Sequence, residues 1–338
     1  MIGSKAEGKR QKAEGKRQKA GLVFAMLLAC LTVAPAAFAQ STHLLIVVGL
    51  AGTPEHGDLF KKWGTTLAET AQQKLGVDKG NVTLLTDAAA RRDAVTKAIE
   101  GLASKAGEED TVVIVLFGHG TFAAKVAKFN LPGPDMVPQD FAPLLARLRS
   151  KRVVFVNTAS ASGPFVEALS GPGRVIVTGT RTGDEKYATL FGGPFVDAFV
   201  TEGVDADRDG KVSILEAFDY AKKAVAASYV REGLLPTEHA LLDDNGDRQG
   251  SMDPGIQAKD GQSAAVLSLG SMRTHALPVD EKVRALYLER QQLERRIESL
   301  KLLKSGMDPG KYASELEKLA TELALKSRQI RAAEGKGK

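Results

Sequence analysis

Apolar positions along this chain fall into two patterns. Five short runs, at 43–49, 81–87, 111–117, 152–157 and 174–180, are rich in Val, Ile and Leu and do not alternate with polar residues. Such runs predict strands buried on both faces of a parallel sheet. Between them the spacing is helical. In 57–75, for example, Leu59, Phe60, Trp63, Leu67, Ala71 and Leu75 share one face. Further helices are predicted at 88–105, 139–149, 165–170, 192–201 and 217–229, and 121–138 reads as an irregular Gly/Pro-containing excursion. Strands alternating with helices predict an α/β fold with a doubly wound, mainly parallel sheet flanked by helices.

After residue 250 the pattern changes. Residues 251–279 are rich in Gly, Ser, Asp and Pro and read as a linker. Val283, Leu286, Leu293, Ile297 and Leu300 then recur at heptad spacing, residues 305–310 break the pattern, and Tyr312, Leu316, Leu319, Leu323 and Ile330 resume it. This predicts a coiled-coil-like α-helical hairpin over 280–334. Its apolar seams either close on each other or drive self-association with a second copy.

Charge changes the picture only at the amino end. The chain has 338 residues, with 46 Lys+Arg against 41 Asp+Glu. Residues 1–20 hold seven of the basic groups and two of the acidic ones, so the remaining 39 of each cancel. The basic excess therefore belongs to the leader, and the body offers no electrostatic argument for nucleic acid. The leader contains a tandem repeat, Ala-Glu-Gly-Lys-Arg-Gln-Lys at 6–12 and 13–19, and then an uncharged apolar run ending in Ala37-Phe38-Ala39. This predicts a signal peptide over 1–39, cleaved near Ala39, and a secreted or periplasmic protein. The alternative is a lipoprotein anchored to the membrane through Cys30. Cys30 is the sole cysteine, so a chain cleaved after Ala39 has neither a disulfide nor a thiol nucleophile.

Two of the predicted strands end in polar clusters: His119-Gly120 after the third, and Ala159-Ser160-Ala161-Ser162-Gly163 after the fourth. Carboxyl ends of parallel strands are where such sheets bind ligands. A base and a nucleophile there can serve covalent catalysis. The bland reading is that His119 satisfies a hydrogen bond and Ser160 caps a helix. Ser162 and Thr158 are weaker nucleophile candidates, and Arg181 is a candidate for a substrate acid.

These two clusters, over residues 42–250, resemble the active-site strands of the legumain-like and caspase-like cysteine peptidases of clan CD. The resemblance implies a caspase-like fold, a catalytic role for His119 and peptide or protein partners. It places Ser160 where the family carries its cysteine. A serine nucleophile needs an oriented base, and no acid stands where it could orient His119; Asp110 lies at the wrong end of its strand. The leading expectation is a catalytically degenerate peptidase fold that binds peptides. The alternatives are an active endopeptidase or hydrolase using a Ser160-His119 dyad, and a structural protein acting through the C-terminal hairpin.

The most specific motif is Asp205-Ala-Asp207-Arg-Asp209-Gly210-Lys211-Val212-Ser213-Ile-Leu-Glu216. It has the spacing of an EF-hand-like Ca²⁺ loop. Asp205, Asp207, Asp209, Ser213 and Glu216 are the candidate ligands, with Lys211 offering its carbonyl and Glu216 expected to close the site. A second acidic loop, Asp243–Asp247, lacks the turn glycine and the closing Glu. It is expected to be a weak site, an ordinary turn, or a partner in the first ion's site. His56 and His239 show no metal-ligand spacing.

Overall fold

The computed structural model describes residues 40–207, 209–270, 280–302 and 304–334; the leader, its repeat and Cys30 lie outside them. A six-stranded sheet runs in the order β2 (Val82–Leu85), β1 (Thr42–Val48), β3 (Thr111–Phe117), β6 (Arg152–Asn157), β7 (Arg174–Thr178), β8 (Leu241–Asp243). Every pairing is parallel except that of β7 with β8. β1, β3 and β6 are buried almost throughout, as their unalternating apolar runs require.

Alternate residues feed two cores. Leu44, Ile46 and Val48 face α1 (Pro54–Gln73), α5 (Gly192–Asp197) and α6 (Ile214–Glu232). Leu45 and Val47 face α2 (Arg92–Lys105), α3 (Pro138–Ala146) and α4 (Phe165–Leu169). This is the predicted mainly parallel α/β sheet flanked by helices. Helix α1 begins three residues earlier than its apolar spacing indicates, because Thr53 caps it by accepting the His56 amide and Pro54 occupies its first turn. Its Gly64 lies so close to the sheet that a Cβ there would sit 2.8 Å from Val48 Cγ2.

Three segments differ from the sequence reading. The excursion at 121–138 contains a hairpin of β4 (Gly120–Ala123) and β5 (Val126–Phe129). Its two turn residues, Ala124 and Lys125, both take left-handed φ of 49° and 63°, which suits a tight hairpin turn but lacks the usual glycine. β8 has only three residues. The predicted linker is not one over its first twenty residues. Ser251 pairs with Leu242, the Ile214 amide donates to the Leu267 carbonyl at 2.8 Å, and Ala264, Leu267 and Leu269 are buried in the first core. Those three apolar side chains outweigh the polar composition around them. Residues 271–279 lie outside the described set.

The C-terminal helices α7 (Glu281–Leu302) and α8 (Pro309–Glu334) share a small core of Leu293, Leu300 and Leu319, with Ile297, Tyr312, Leu316 and Leu323 packed around it. Ion pairs Glu289–Lys326 and Arg296–Glu322 set an antiparallel register. Among the described residues, no helix is long and apolar enough to cross a membrane.

Candidate functional site

β3 and β6 are neighbours, with Leu116 opposite Asn157, so the turns that follow them meet. The His119 backbone is held from two sides: its N–H donates to the Leu50 carbonyl at 3.2 Å and its carbonyl accepts the Asn130 N–H at 3.0 Å. The ring turns toward the start of α1. It stands edge-on to His56 at 4.9 Å and to Phe60 at 5.2 Å between centroids. Burial holds the His119 pKa below its ordinary value, the charge of His56 adds to the effect, and a hydrogen bond to the Ala51 backbone opposes it. These surroundings favour the neutral imidazole. Among the described residues, no carboxylate bonds to it. Asp110, at the opposite end of β3, accepts the Ser41 and Gly107 amides and pairs with His43 at 3.2 Å.

Ser160 is 1% exposed. Its Oγ accepts the Gly120 N–H at 3.1 Å and donates to the Gly120 carbonyl at 3.1 Å. The hydroxyl thus pairs with both backbone groups of the residue after His119, and its single proton points at a carbonyl rather than a base. Gly120 is required for this approach, since a Cβ there would lie 2.1 Å from the Ser160 carbonyl oxygen. The other hydroxyls are similarly occupied. Thr158 donates to the Leu116 carbonyl at 2.9 Å, and Ser162 lies 3.1 Å from the Thr180 hydroxyl while accepting the Thr180 amide. Arg181 is exposed, and its amide binds the Glu185 carboxylate at 2.9 Å.

Beside this region lies a group that spacing did not reveal. Glu185 also accepts the His239 amide at 3.0 Å and pairs with His239 Nδ1 at 2.8 Å. Glu238, 5% exposed, accepts the Leu190 and Phe191 amides at 2.8 and 3.1 Å. Burial raises the Glu238 pKa against those hydrogen bonds. Glu238 and His239 line a cavity of about 230 Å³ with Phe191, Lys222 and Met252. The partners are far apart in sequence, so no local motif could have exposed them.

In the first acidic loop the oxygens of Asp205, Asp207 and Asp209 converge to within 4.8 Å of one another. Gly210 takes φ of +87°, the left-handed turn that brings them together. Burial raises the Asp209 pKa, with Asp207 adding to it. This donor set fits a hard divalent cation. Glu216 does something other than reach the three aspartates. Oε1 accepts the Ala206 amide at 2.7 Å and Oε2 accepts the Ser213 amide and hydroxyl at 2.8 Å each, so it closes the loop and caps α6. The Lys211 amide donates to Asp209 at 2.8 Å.

A model of the peptidase C13 family, the legumain family of clan CD, matches residues 73–242. The chain belongs to the peptidase C13 family. The match takes in both strand-end clusters and the first acidic loop, so peptidase C13 membership covers the region that the two turns organise. No curated protein matches the chain. Among solved structures, protein GSU0716 from Geobacter sulfurreducens is similar at 14% identity, over 60% of this chain and 92% of that chain, with a TM-score of 0.41.

Proposed function

We propose that this peptidase C13 protein binds peptide segments at the ends of β3 and β6 without cleaving them. The observation that carries the reading is the Ser160–Gly120 pair. A serine attacks a carbonyl only as it gives its proton to an oriented base. Here the proton is committed to the Gly120 carbonyl, and the Gly120 N–H, a donor facing the same turn, is already used. General base assistance is worth about 10²–10⁴-fold, and among the described residues no carboxylate orients His119. Ser160 occupies the family's cysteine position as a fastener between two turns. The first acidic loop is a calcium site in this reading, supported by its convergent carboxylates. The basic leader and its apolar run support export.

The test is to incubate the purified protein with a peptide library and analyse both the retained and the released peptides by mass spectrometry. Retention of intact peptides is expected. Cleavage products that vanish in His119→Ala would overturn the reading, as would failure to retain any peptide.

A further inference from the structure

We infer that residues 243–249 form a second divalent-cation site of the calcium class, with Asp243, Asn245, Asp247 and the Gln249 carbonyl as donors. The site goes beyond the first loop and does not depend on it, although the first loop supplies the geometric comparison. There, the Asp207 carboxylate accepts the Asp209 amide at 3.1 Å and the Asp209 carboxylate accepts the Lys211 amide at 2.8 Å. Here, Asn245 Oδ1 accepts the Asp247 amide at 2.7 Å and Asp247 Oδ1 accepts the Gln249 amide at 2.8 Å. The residues match one for one in spacing. The turn position matches too: Gly210 has φ of +87°, and Arg248 takes φ of +71° without being glycine. The left-handed turn that the sequence pattern lacks is therefore present in the backbone.

The independent observation is Asp243. It is 1% exposed, and both its carboxylate oxygens are buried without a well-formed hydrogen bond. The Gly246 amide and the Ser170 hydroxyl lie beside it, and Ser170 Oγ accepts the Arg248 amide at 3.0 Å, so the carboxylate borders the 243–249 loop. A buried carboxylate whose oxygens lack a well-formed hydrogen bond is costly. Its neighbours deepen the problem. Asp244 and Asp260 share the region, with the Asp260 carboxylate accepting the Asp244 amide at 3.3 Å. Asp244 is engaged outside the loop, its oxygens accepting the Gly261 and Ala264 amides at 2.8 Å each. Lys259 pairs with Asp247, and among the described residues no basic side chain forms an ion pair with Asp243. A dication held by oxygen donors resolves the excess charge.

The test is calorimetric titration of CaCl₂ into the full chain after chelator treatment, comparing wild type with Asp243→Asn, Asp247→Asn and Asp209→Asn. Two calcium equivalents are expected in the wild type. Asp243→Asn and Asp247→Asn should each lose one and keep the other, and Asp209→Asn should lose the complementary one. A single equivalent lost in Asp243→Asn but kept in Asp209→Asn would uphold this site and overturn the first. Unchanged titrations in both Asp243→Asn and Asp247→Asn would overturn the inference. Melting supplies a second readout: Asp243→Asn should melt higher than wild type without calcium and gain less from adding it. A lower melting temperature without calcium and an undiminished calcium gain would contradict the inference.

Discussion

Replacing Ser160 with alanine separates a fastener from a nucleophile. The substitution removes a buried hydroxyl that accepts the Gly120 N–H and donates to the Gly120 carbonyl, both at 3.1 Å. Water cannot take its place readily, because the position is 1% exposed. Leaving the Gly120 N–H without its acceptor costs about 1–3 kcal/mol, and losing the second bond adds about 0.5–1.5 kcal/mol. The expected loss is about 1.5–4.5 kcal/mol, which at about 2–4 °C per kcal/mol for a domain of about 150–250 residues lowers Tm by at least about 3 °C. Calorimetric melting and urea unfolding of wild type and Ser160→Ala measure it, with Ser160→Cys as a third case that keeps a weak donor. A true active-site nucleophile behaves in the opposite way, since its removal tends to leave stability unchanged or raised. A Ser160→Ala protein as stable as wild type would refute the fastener argument.

Other consequences are sharp enough to measure. Gly163→Ala puts a Cβ 2.1 Å from the Arg181 carbonyl oxygen, so the backbone must move; a loss of about 3 kcal/mol or more is expected by urea unfolding. His119 has a pKa below its unfolded value of 6.5, so it contributes no penalty above that pH and destabilises the fold as pH falls through it. Wild type should accordingly lose more stability than His119→Gln between pH 7 and pH 5, seen in paired denaturation curves. Glu216→Ala removes the capping box of α6 and the clamp on Ala206. It should cost about 1–2 kcal/mol without calcium, with Asp219→Ala as a control on the same helix.

The buried strands were legible because an unalternating β-branched run has few other uses. β4 and β5 were not, because their turn uses Ala124 and Lys125 where glycine would have announced it. The same substitution of an unexpected residue at a left-handed position hid the regularity of 243–249, where Arg248 does the work of Gly210. Composition misled at 251–270, since three buried apolar residues bind a polar segment to the core. His119 and Ser160 were legible as strand-end residues. The direction of the Ser160 proton was not, because it depends on Gly120 approaching from another strand, forty residues away. The Glu185–His239 pair is likewise a product of the fold alone.

An active-site serine probe tests most directly whether Ser160 does covalent chemistry. Purified protein treated with a fluorophosphonate and mapped by peptide mass spectrometry should carry no adduct on Ser160. A stoichiometric adduct at Ser160 that disappears in His119→Ala would contradict the account.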